Sequence, residues 1–211
     1  MDSFEPKKRF GQNFLTDEST VDRIIDIVRP TESDYILEIG PGTGALTERL
    51  IDSGAIVRAV EIDSFLCSLL TNKFSNHQNF LLKPGDFLQF ELNELGRLSA
   101  SWKVVGNLPY NIATSIILHL LQDRSLFSKM VLMTQLEVAE RMVARPNTRN
   151  YGRLSIIVQR KTQVRLRYQV ENTCFYPKPK VTSALVEIKP IFLERQGYLE
   201  NQMELITQSA F

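Results

Sequence analysis

A glycine-rich turn follows the first strongly apolar run of this 211-residue chain. The run 35–39 predicts a strand, and Gly40-Pro41-Gly42-Thr43-Gly44 predicts the turn that leads from it into a helix. Glycines at such a turn leave room for a ligand and permit positive φ, so backbone amides can approach a bound nucleotide. Gly40, Gly42 and Ala45 also satisfy the loose dinucleotide pattern GxGxxG/A. The turn alone therefore leaves two alternatives open, plain turn glycines and a nicotinamide cofactor.

Two carboxylates are expected at the same sheet edge as this turn. Glu61 ends the second predicted strand, 21 residues after Gly40, where a carboxylate in such folds accepts hydrogen bonds from ribose hydroxyls. Asp86 follows the third predicted strand, where its carboxylate can accept from the amino group of a cofactor adenine. The alternative for Asp86 is a simple turn aspartate.

A polar amide, a proline and an aromatic occur together at Asn107-Leu108-Pro109-Tyr110, at the end of the fourth predicted strand. This combination is typical of enzymes that methylate amino groups. With seven further blocks in order, the chain resembles the KsgA-type ribosomal RNA small-subunit adenine dimethyltransferases of the rRNA adenine N6-methyltransferase family. The resemblance extends over nearly all of residues 6–190, and its other blocks are FGQNFL, EIGPGTGALT, Glu61, Gly85-Asp86, QLEVAERMVARP, YGRLS and FYPKPKVTSALV.

The resemblance implies a function, a cofactor and a set of site residues. The function is dimethylation of the exocyclic amine of adenines in small-subunit (16S-type) ribosomal RNA, linked to ribosome assembly, with S-adenosyl-L-methionine as methyl donor. The implied cofactor contacts are Asn13, Leu15, Gly40, Glu61, Asp86 and Asn107, and Gly42 shapes the same turn. The residues implied to hold the target adenine are Asn107, Pro109 and Tyr110, with Phe175 stacking on the other side of the base.

The chemistry of the target amine suits these residue types. Its lone pair is conjugated into the adenine ring, so the amine is a poor nucleophile and must be oriented. If the Asn107 side-chain oxygen and the Pro109 carbonyl accept its N–H bonds, the lone pair turns toward the sulfonium methyl without a strong base. Tyr110 and Phe175 would enclose the extruded base, and aromatic faces tolerate the positive charge that moves from sulfur to nitrogen.

Three other functions are compatible with the sequence. Relatives that confer macrolide resistance methylate large-subunit RNA. Lys178 is similar to the residue of those enzymes, at a position where KsgA-type sequences often carry a third proline, whereas YGRLS and QLEVAERM favour the small subunit. A second alternative is an RNA-binding ribosome-assembly factor whose catalysis is secondary. A dehydrogenase is the third, and the Asn107 motif disfavours it.

The predicted elements place these residues at one edge of a sheet. Strands are predicted at 35–39, 56–61, 80–83, 103–106 and 130–133, and helices after Asp17 as far as Pro30, after the glycine turn to about Ser53, and at 64–75, 112–121 and 136–144. Three more strands are predicted at 154–161, 164–168 and 184–188, without intervening helices. With the resemblance, this predicts an α/β, Rossmann-like S-adenosylmethionine-dependent methyltransferase fold. Its mostly parallel seven-stranded sheet has helices on both faces and an antiparallel end.

The predicted domain organisation has three parts. Residues 1–15 form an amino-terminal arm, 16–195 the methyltransferase catalytic domain, and 196–211 the start of a small helical carboxyl-terminal domain that the sequence truncates. The composition, 43% hydrophobic and 23% charged, is ordinary for one large globular domain. No apolar run approaches the roughly 18 residues of a membrane span, and two cysteines and two histidines predict neither disulfide nor metal site. We expect a cytoplasmic monomer.

The charge is distributed unevenly along the chain. Residues 1–100 carry 10 Lys and Arg against 16 Asp and Glu, whereas 101–211 carry 15 against 8, which gives −6 and +7. Within 145–189 there are 10 basic residues against Glu171 and Glu187. Charge on one face, not the total, attracts a polyanion, so this region is expected to meet the phosphates of ribosomal RNA in the immature small subunit. A solvated basic surface is the alternative.

Overall fold

The computed structural model describes residues 6–95 and 101–192, which form a seven-stranded sheet and a separate two-stranded one. The small sheet pairs residues 14–15 with residues 175–176. The strands are β1 (Phe14–Leu15), β2 (Tyr35–Ile39), β3 (Ile56–Glu61), β4 (Phe80–Pro84), β5 (Trp102–Asn107), β6 (Phe127–Gln135), β7 (Thr162–Val170), β8 (Phe175–Tyr176) and β9 (Ser183–Pro190).

The large sheet has the order β4-β3-β2-β5-β6-β9-β7. Neighbours from β4 to β6 are parallel, whereas β9 runs antiparallel to both β6 and β7. The mostly parallel sheet with an antiparallel end is therefore confirmed. From β2 the chain first adds β3 and β4 on one side and then β5 and β6 on the other, so the strand order reverses at β2. The carboxyl ends of β2, β3 and β5 therefore meet beside a crevice, which is the usual ligand position in open α/β sheets.

Six α-helices connect the strands of the described part of the chain. They are α1 (Glu18–Val28), α2 (Ala45–Asp52), α3 (Ser64–Lys73), α4 (Ala113–Leu120), α5 (Leu136–Val143) and α6 (Arg153–Lys161). Asp17 caps α1 by accepting from the Thr20 amide at 2.8 Å, and Arg29, with φ 48, ends that helix before Pro30. This start and stop follow directly from residue type, because aspartate accepts from exposed amides and proline cannot continue a helix.

Two apolar layers cover the two faces of the sheet. Side chains alternate along a strand, so in β6 Met130 and Leu132 belong to one buried cluster while Val131 and Met133 belong to the other. Helices α4, α5 and α6 pack in the first layer, and α1, α2 and α3 in the second. Strands covered on both sides are nearly continuously apolar, and this is why the central strands are recognisable in the sequence.

The prediction of a strand at 154–161 is wrong, because these residues belong to helix α6. Its Ile-Ile-Val run favours a strand by local propensity. Tertiary contacts favour the helix: the Gly152 amide donates to Ser155 Oγ at 3.1 Å, and Gln159 Nε2 donates to the Met142 and Ala144 carbonyls at the end of α5, both at 2.8 Å. The seven remaining predicted strands form the seven-stranded sheet.

The amino-terminal arm contains more regular structure than its sequence predicts. The stretch Phe10 to Leu15 is too irregular in sequence for a helix or strand, yet Phe14 and Leu15 pair antiparallel with Tyr176 and Phe175. Partners supplied by a distant segment decide this strand. The predicted carboxyl-terminal segment 196–211 lies outside the described residues.

Three further observations concern membrane spans, metal sites and cysteines. Among the described helices, none is both long and apolar enough to cross a membrane. Across 6–95 and 101–192, no three His, Cys, Asp or Glu side chains gather where a metal ion could be held. Cys67 is buried, Cys174 is partly buried, and both are free thiols.

Candidate active site

A cavity lies at the carboxyl-terminal edge of the sheet, between the glycine turn and the arm. It encloses about 750 Å³ of empty space, part of it open to solvent. The arm contributes its residues 10–15, and β2, β3 and the turn after β2 contribute Glu38, Gly40, Gly42 and Glu61. The end of β5 and the loop after it contribute Asn107, Pro109 and Tyr110. Most of the residues predicted from the sequence are therefore brought together in one place.

The glycine turn approaches the arm closely at Gly42. Its φ is 60°, and a Cβ at this position would lie 2.9 Å from Cδ1 of Phe14. Both the backbone angle and the contact require glycine here, because a side chain would displace the arm. The Gly42 amide also donates to Glu61 Oε2 at 3.2 Å, so the turn and the end of β3 are held together.

Glu61 is a buried carboxylate that faces the cavity. It is 5% exposed and accepts from the amides of Gly42 and Asp63, the latter at 2.9 Å. Burial raises the pKa of Glu61 above its ordinary value, and these two backbone hydrogen bonds oppose the shift. A carboxylate that is fixed by backbone donors and borders the cavity is well placed to accept from hydroxyls of a ligand.

A second carboxyl group, Glu38 on β2, lies deeper in the same wall. It is 1% exposed, accepts from the Thr47 hydroxyl at 2.7 Å, and has its pKa raised to about 8 by burial, with Glu61 adding repulsion. With this pKa Glu38 is protonated at neutral pH, so it adds a hydrogen-bonding group to the wall but no negative charge. The glycine turn and the hydrogen-bonded Glu61 together fit a cofactor that contains a nucleoside.

Asn107 presents a specific atom to the cavity. Its Nδ2 donates to the backbone carbonyl of Asn13 in the arm at 2.7 Å. A carbonyl only accepts, so the amide nitrogen must face Asn13 and the amide oxygen must be the other atom. No donor in the described part of the chain bonds to that oxygen, and Asn107 lines the cavity. The site thus holds a free, oriented hydrogen-bond acceptor.

The loop after Asn107 is fixed at both of its ends. The Leu108 amide donates to the Met133 carbonyl at 3.0 Å, and the Pro109 carbonyl accepts from the Ile112 amide at 3.1 Å, with one lone pair left to accept again. Tyr110 makes a hydroxyl hydrogen bond with Ser183 at the start of β9, and burial raises the pKa of its phenol. The ring of Tyr110 is therefore held at the cavity wall.

Phe175 and Asp86 lie outside the wall of the cavity. Phe175 packs in the apolar layer on the α1 face and is 4% exposed, while its neighbour Tyr176 is 63% exposed. Asp86 caps a short 3-10 helix and accepts from the Leu88 amide at 2.9 Å. Asp86 does follow β4 at the same sheet edge, as predicted, because the Gly85 amide bonds the Glu61 carbonyl at 2.8 Å.

Sequence reasoning missed a polar cluster beside the cavity. Asp63 accepts from Lys7 Nζ at 2.7 Å and from Gln12 Nε2 at 2.9 Å. It also caps α3 by accepting from the Phe65 amide at 3.0 Å. An aspartate before a helix is ordinarily explained by capping alone. The only available signal was its position two residues after Glu61.

Comparison with protein-family models gives one match along nearly the whole chain. The model described as ribosomal RNA adenine dimethylase matches residues 3–210. A protein of Pseudomonas savastanoi pv. phaseolicola named ribosomal RNA small subunit methyltransferase A is 50% identical over 184 residues, which are 87% of this chain and 69% of that protein. The protein of the same name from Hahella chejuensis is 42% identical over 186 residues, 88% of this chain and 68% of that one.

Solved structures agree with the sequence matches. A dimethyladenosine transferase from Plasmodium falciparum superimposes with a TM-score of 0.80 and 31% identity, covering 92% of this chain and 70% of that one. The 23S rRNA methyltransferase ErmE superimposes with a TM-score of 0.76 and 29% identity, covering 93% and 78%. The predicted Rossmann-like methyltransferase fold is therefore confirmed.

Proposed function

Since this chain belongs to the ribosomal RNA adenine dimethylase family, we propose that it uses S-adenosylmethionine to dimethylate adenine amines of small-subunit ribosomal RNA. The observation that carries this proposal is the state of Asn107. Its nitrogen is held by the Asn13 carbonyl, and no donor among the described residues bonds to its oxygen beside the cavity. An oriented acceptor beside a nucleoside-binding turn suits an amine that must be held in position.

The proposed cofactor site extends along the crevice from β2 to β5. Its proposed contacts are Asn13, Leu15, Gly40, Gly42, Glu61, Asp86 and Asn107. All of these except Asp86 line the cavity. Glu61 would accept from the ribose hydroxyls, and the second oxygen of the Asp86 carboxylate would accept from the adenine amino group. When bound there, S-adenosylmethionine supplies an electrophilic methyl group on a sulfonium.

The chain's own residues would act on the target amine through orientation. The Asn107 oxygen and the second lone pair of the Pro109 carbonyl accept its two N–H bonds, which directs the nitrogen lone pair toward the methyl group. After transfer, the nitrogen carries a positive charge and loses a proton to solvent. Tyr110, held by Ser183, would form one wall of the base pocket. Enclosure on the other side is assigned to Phe175, which requires its ring to leave the apolar layer in which it is 4% exposed.

The choice of the small subunit rests on the names of the curated relatives and on the YGRLS block. Lys178, which departs from the three-proline form, is exposed. Its side chain therefore does not take part in the packing around Phe175. We further propose that the enzyme acts in the cytoplasm, as a monomer, on RNA of the immature small subunit.

Radiolabelled methyl transfer tests the proposal directly. The purified chain is incubated with labelled S-adenosylmethionine and small-subunit particles from cells that lack this modification, with large-subunit particles as the matched control. Label in dimethyladenosine of small-subunit RNA alone is expected. Label only in the large-subunit RNA would support the resistance-type alternative, and absence of label from both would reject the proposed activity. Sedimentation of the same preparation tests the monomer.

A further inference from the structure

The amino-terminal arm is tied to the catalytic domain by a buried carboxylate. The side chain of Asp63 has no exposed surface, whereas that of Lys7 is 35% exposed. Asp63 Oδ1 receives the Lys7 ammonium and Oδ2 receives the Gln12 amide, at 2.7 and 2.9 Å. The Lys7 backbone amide closes the arrangement by donating to Gln12 Oε1 at 2.6 Å. We call Lys7, Gln12 and Asp63 the arm latch.

The arm latch lies one residue from the hydrogen bond that orients Asn107. Gln12 precedes Asn13, and the Asn13 carbonyl holds the Asn107 amide at 2.7 Å. The arm also packs tightly on the loop that carries Pro109, because a Cβ on Gly11 would lie 3.0 Å from Asn111 Oδ1 and 3.6 Å from Pro109 Cβ. A small shift of the arm would therefore change the direction of the Asn107 oxygen.

Asp63 is also connected to the cofactor side of the cavity. Its backbone amide donates to Glu61 Oε1 at 2.9 Å. Burial alone would raise the pKa of Asp63, but the hydrogen bonds from Lys7 and Gln12 outweigh it and hold the pKa below the ordinary value. The carboxylate is therefore ionised at neutral pH and bonds both arm residues as an anion.

We propose that Asp63 is a positioning residue, which holds the arm through Lys7 and Gln12 so that the Asn13 carbonyl directs the Asn107 oxygen at the target amine. This inference rests on the proposed function, since it concerns the same reaction. A residue that only stabilised the fold could be replaced without loss of turnover once folding is intact. A positioning residue changes the rate of the chemical step itself.

The test replaces single atoms of the arm latch. Asp63→Asn keeps the side-chain shape and an oxygen that can cap α3. Its NH₂ group, however, would face either Lys7 or Gln12, and it cannot accept a hydrogen bond from that donor. We expect single-turnover methyl transfer at saturating cofactor to fall about 10- to 100-fold, with cofactor KM raised only a few-fold, since misplaced catalytic groups typically act on this scale. Lys7→Met should give a smaller fall in the same rate constant.

A paired exchange provides the rescue. In the double variant Asp63→Asn with Gln12→Glu, the introduced amide can donate to the introduced carboxylate, so the hydrogen bond is restored with reversed polarity. We expect this variant to recover most of the single-turnover rate, whereas Gln12→Glu alone should lose activity because two carboxylates face each other. Asp17→Asn, a matched change at the cap of α1 away from the arm latch, should leave the rate unchanged.

The outcomes separate this inference from the proposed function. If the wild type transfers methyl groups and folded Asp63→Asn does so at the same rate, the proposed role of the arm latch is wrong and the proposed function stands. A loss that the double variant does not recover, in protein with a wild-type unfolding temperature, would also overturn it. No transfer by the wild type under any condition would reject the function and the inference together.

Discussion

At the scale of single residues, the orientation of one amide decides the chemistry of the site. Asn107 has a donor and an acceptor on the same carbon, and only the acceptor is useful toward an amine. The Asn13 carbonyl occupies the donor, at 2.7 Å. The sequence identifies the residue, and the neighbouring backbone determines which of its two atoms meets the ligand.

Replacing Asn107 by alanine should remove methyl transfer and leave the fold intact. The core contacts of β5 come from Val104 and Val105, which are fully buried. Loss of one preorganised acceptor typically costs about 100- to 1000-fold in rate. Single-turnover transfer to small-subunit particles at saturating cofactor measures the effect, with cofactor affinity determined separately. Near-normal transfer would contradict the proposed role of the Asn107 oxygen as the acceptor that orients the amine.

Asn107→Asp is the sharper comparison. It keeps an acceptor of the same shape but loses the donor for the Asn13 carbonyl and adds a charge. We expect a rate between those of the wild type and the alanine variant. Both variants lose the hydrogen bond to Asn13, so a rate below that of alanine would show that the added charge impairs transfer more than the retained acceptor supports it.

The aromatic ring of Phe175 is expected to contribute to methyl transfer by stacking on the target base. The ring is buried in the apolar layer, and Phe→Ala in a core lowers the free energy of unfolding by about 3 to 5 kcal/mol. The alanine variant would therefore not distinguish lost stacking on the base from lost core packing. Phe175→Leu keeps apolar volume and removes the aromatic face. We expect a folded variant with at least roughly tenfold slower transfer, judged from base–aromatic stacking energies. Tyr176→Leu is the matched control at the exposed neighbour, and a larger loss there would reassign the stacking role.

At the scale of elements, the arm and helix α6 acquire their structure from distant partners. β1 exists because β8 offers it a strand edge, and α6 is anchored on the carbonyls at the end of α5. Placing α6 against α4 and α5 also forms a wide groove of about 1780 Å³, partly open to solvent. Its lining includes Arg141, Arg149 and Arg153.

This groove gives the predicted basic region a definite surface. Arg149 and Arg153 are exposed and have no ion pair within the described residues, whereas Arg167 and Lys189 both approach Glu187, at 3.4 and 3.3 Å. Unpaired arginines are the ones available to phosphates. The groove therefore carries the part of the basic region that we expect to contact RNA.

Neutralising both arginines should weaken RNA binding and its salt dependence. For Arg149→Gln with Arg153→Gln, we expect the slope of log K against log salt to flatten by about 1.4 to 1.8, since each phosphate contact contributes roughly 0.7 to 0.9. The matched control is Arg49→Gln with Lys73→Gln, which removes the same charge from the α2–α3 face. Equal slopes in the two double variants would place the groove away from RNA.

At the scale of the whole molecule, the sheet separates two apolar layers and collects the site at one edge. Because the central strands are buried on both faces, a carboxyl group on one of them loses its hydration, and this disfavours its ionised form. Glu38 points into the layer with α2, where Thr47 donates to its side chain, and its pKa rises to about 8. Its ordinary value is 4.5.

The shift predicts a pH dependence of stability with a definite sign. Below pH 4.5, Glu38 is neutral in the folded and the unfolded chain. Between 4.5 and 8 the unfolded chain releases the proton and the folded chain keeps it, so this group lowers the free energy of unfolding as pH rises, by up to about 1.4 kcal/mol per pH unit. In Glu38→Gln this side chain does not titrate, so it does not lower the free energy of unfolding as pH rises. Its amide oxygen can still accept from the Thr47 hydroxyl. Its stability relative to the wild type should increase from pH 5 to 8.

Denaturant unfolding without cofactor, repeated across that pH range, measures this difference. Glu48→Gln is the control on the same helix layer, because its pKa is lowered by the hydrogen bond from Lys73 and it does not titrate between pH 5 and 8. A difference between Glu38→Gln and the wild type that does not vary with pH would contradict a protonated Glu38.

Residue types and their local spacing are enough to predict most of the sheet and the kind of chemistry. The central strands are buried on both faces, so their apolar runs stand out, and the cap of α1 depends on one aspartate and one proline. The glycine turn, Glu61 and the Asn107 motif follow strand ends, and parallel strands bring those ends together. These features depend on residue type and local spacing.

Other features form only because segments that are far apart in the sequence contact each other. Helix α6 overrides the strand propensity of its Ile-Ile-Val run because α5 supplies acceptors for Gln159. The burial of Phe175, the strand at Phe14 and the contact between Asp63 and the arm all join segments that are far apart in the sequence. No local pattern predicts such pairs, because each of these residues, taken alone, could equally well lie in a turn, cap a helix or face solvent.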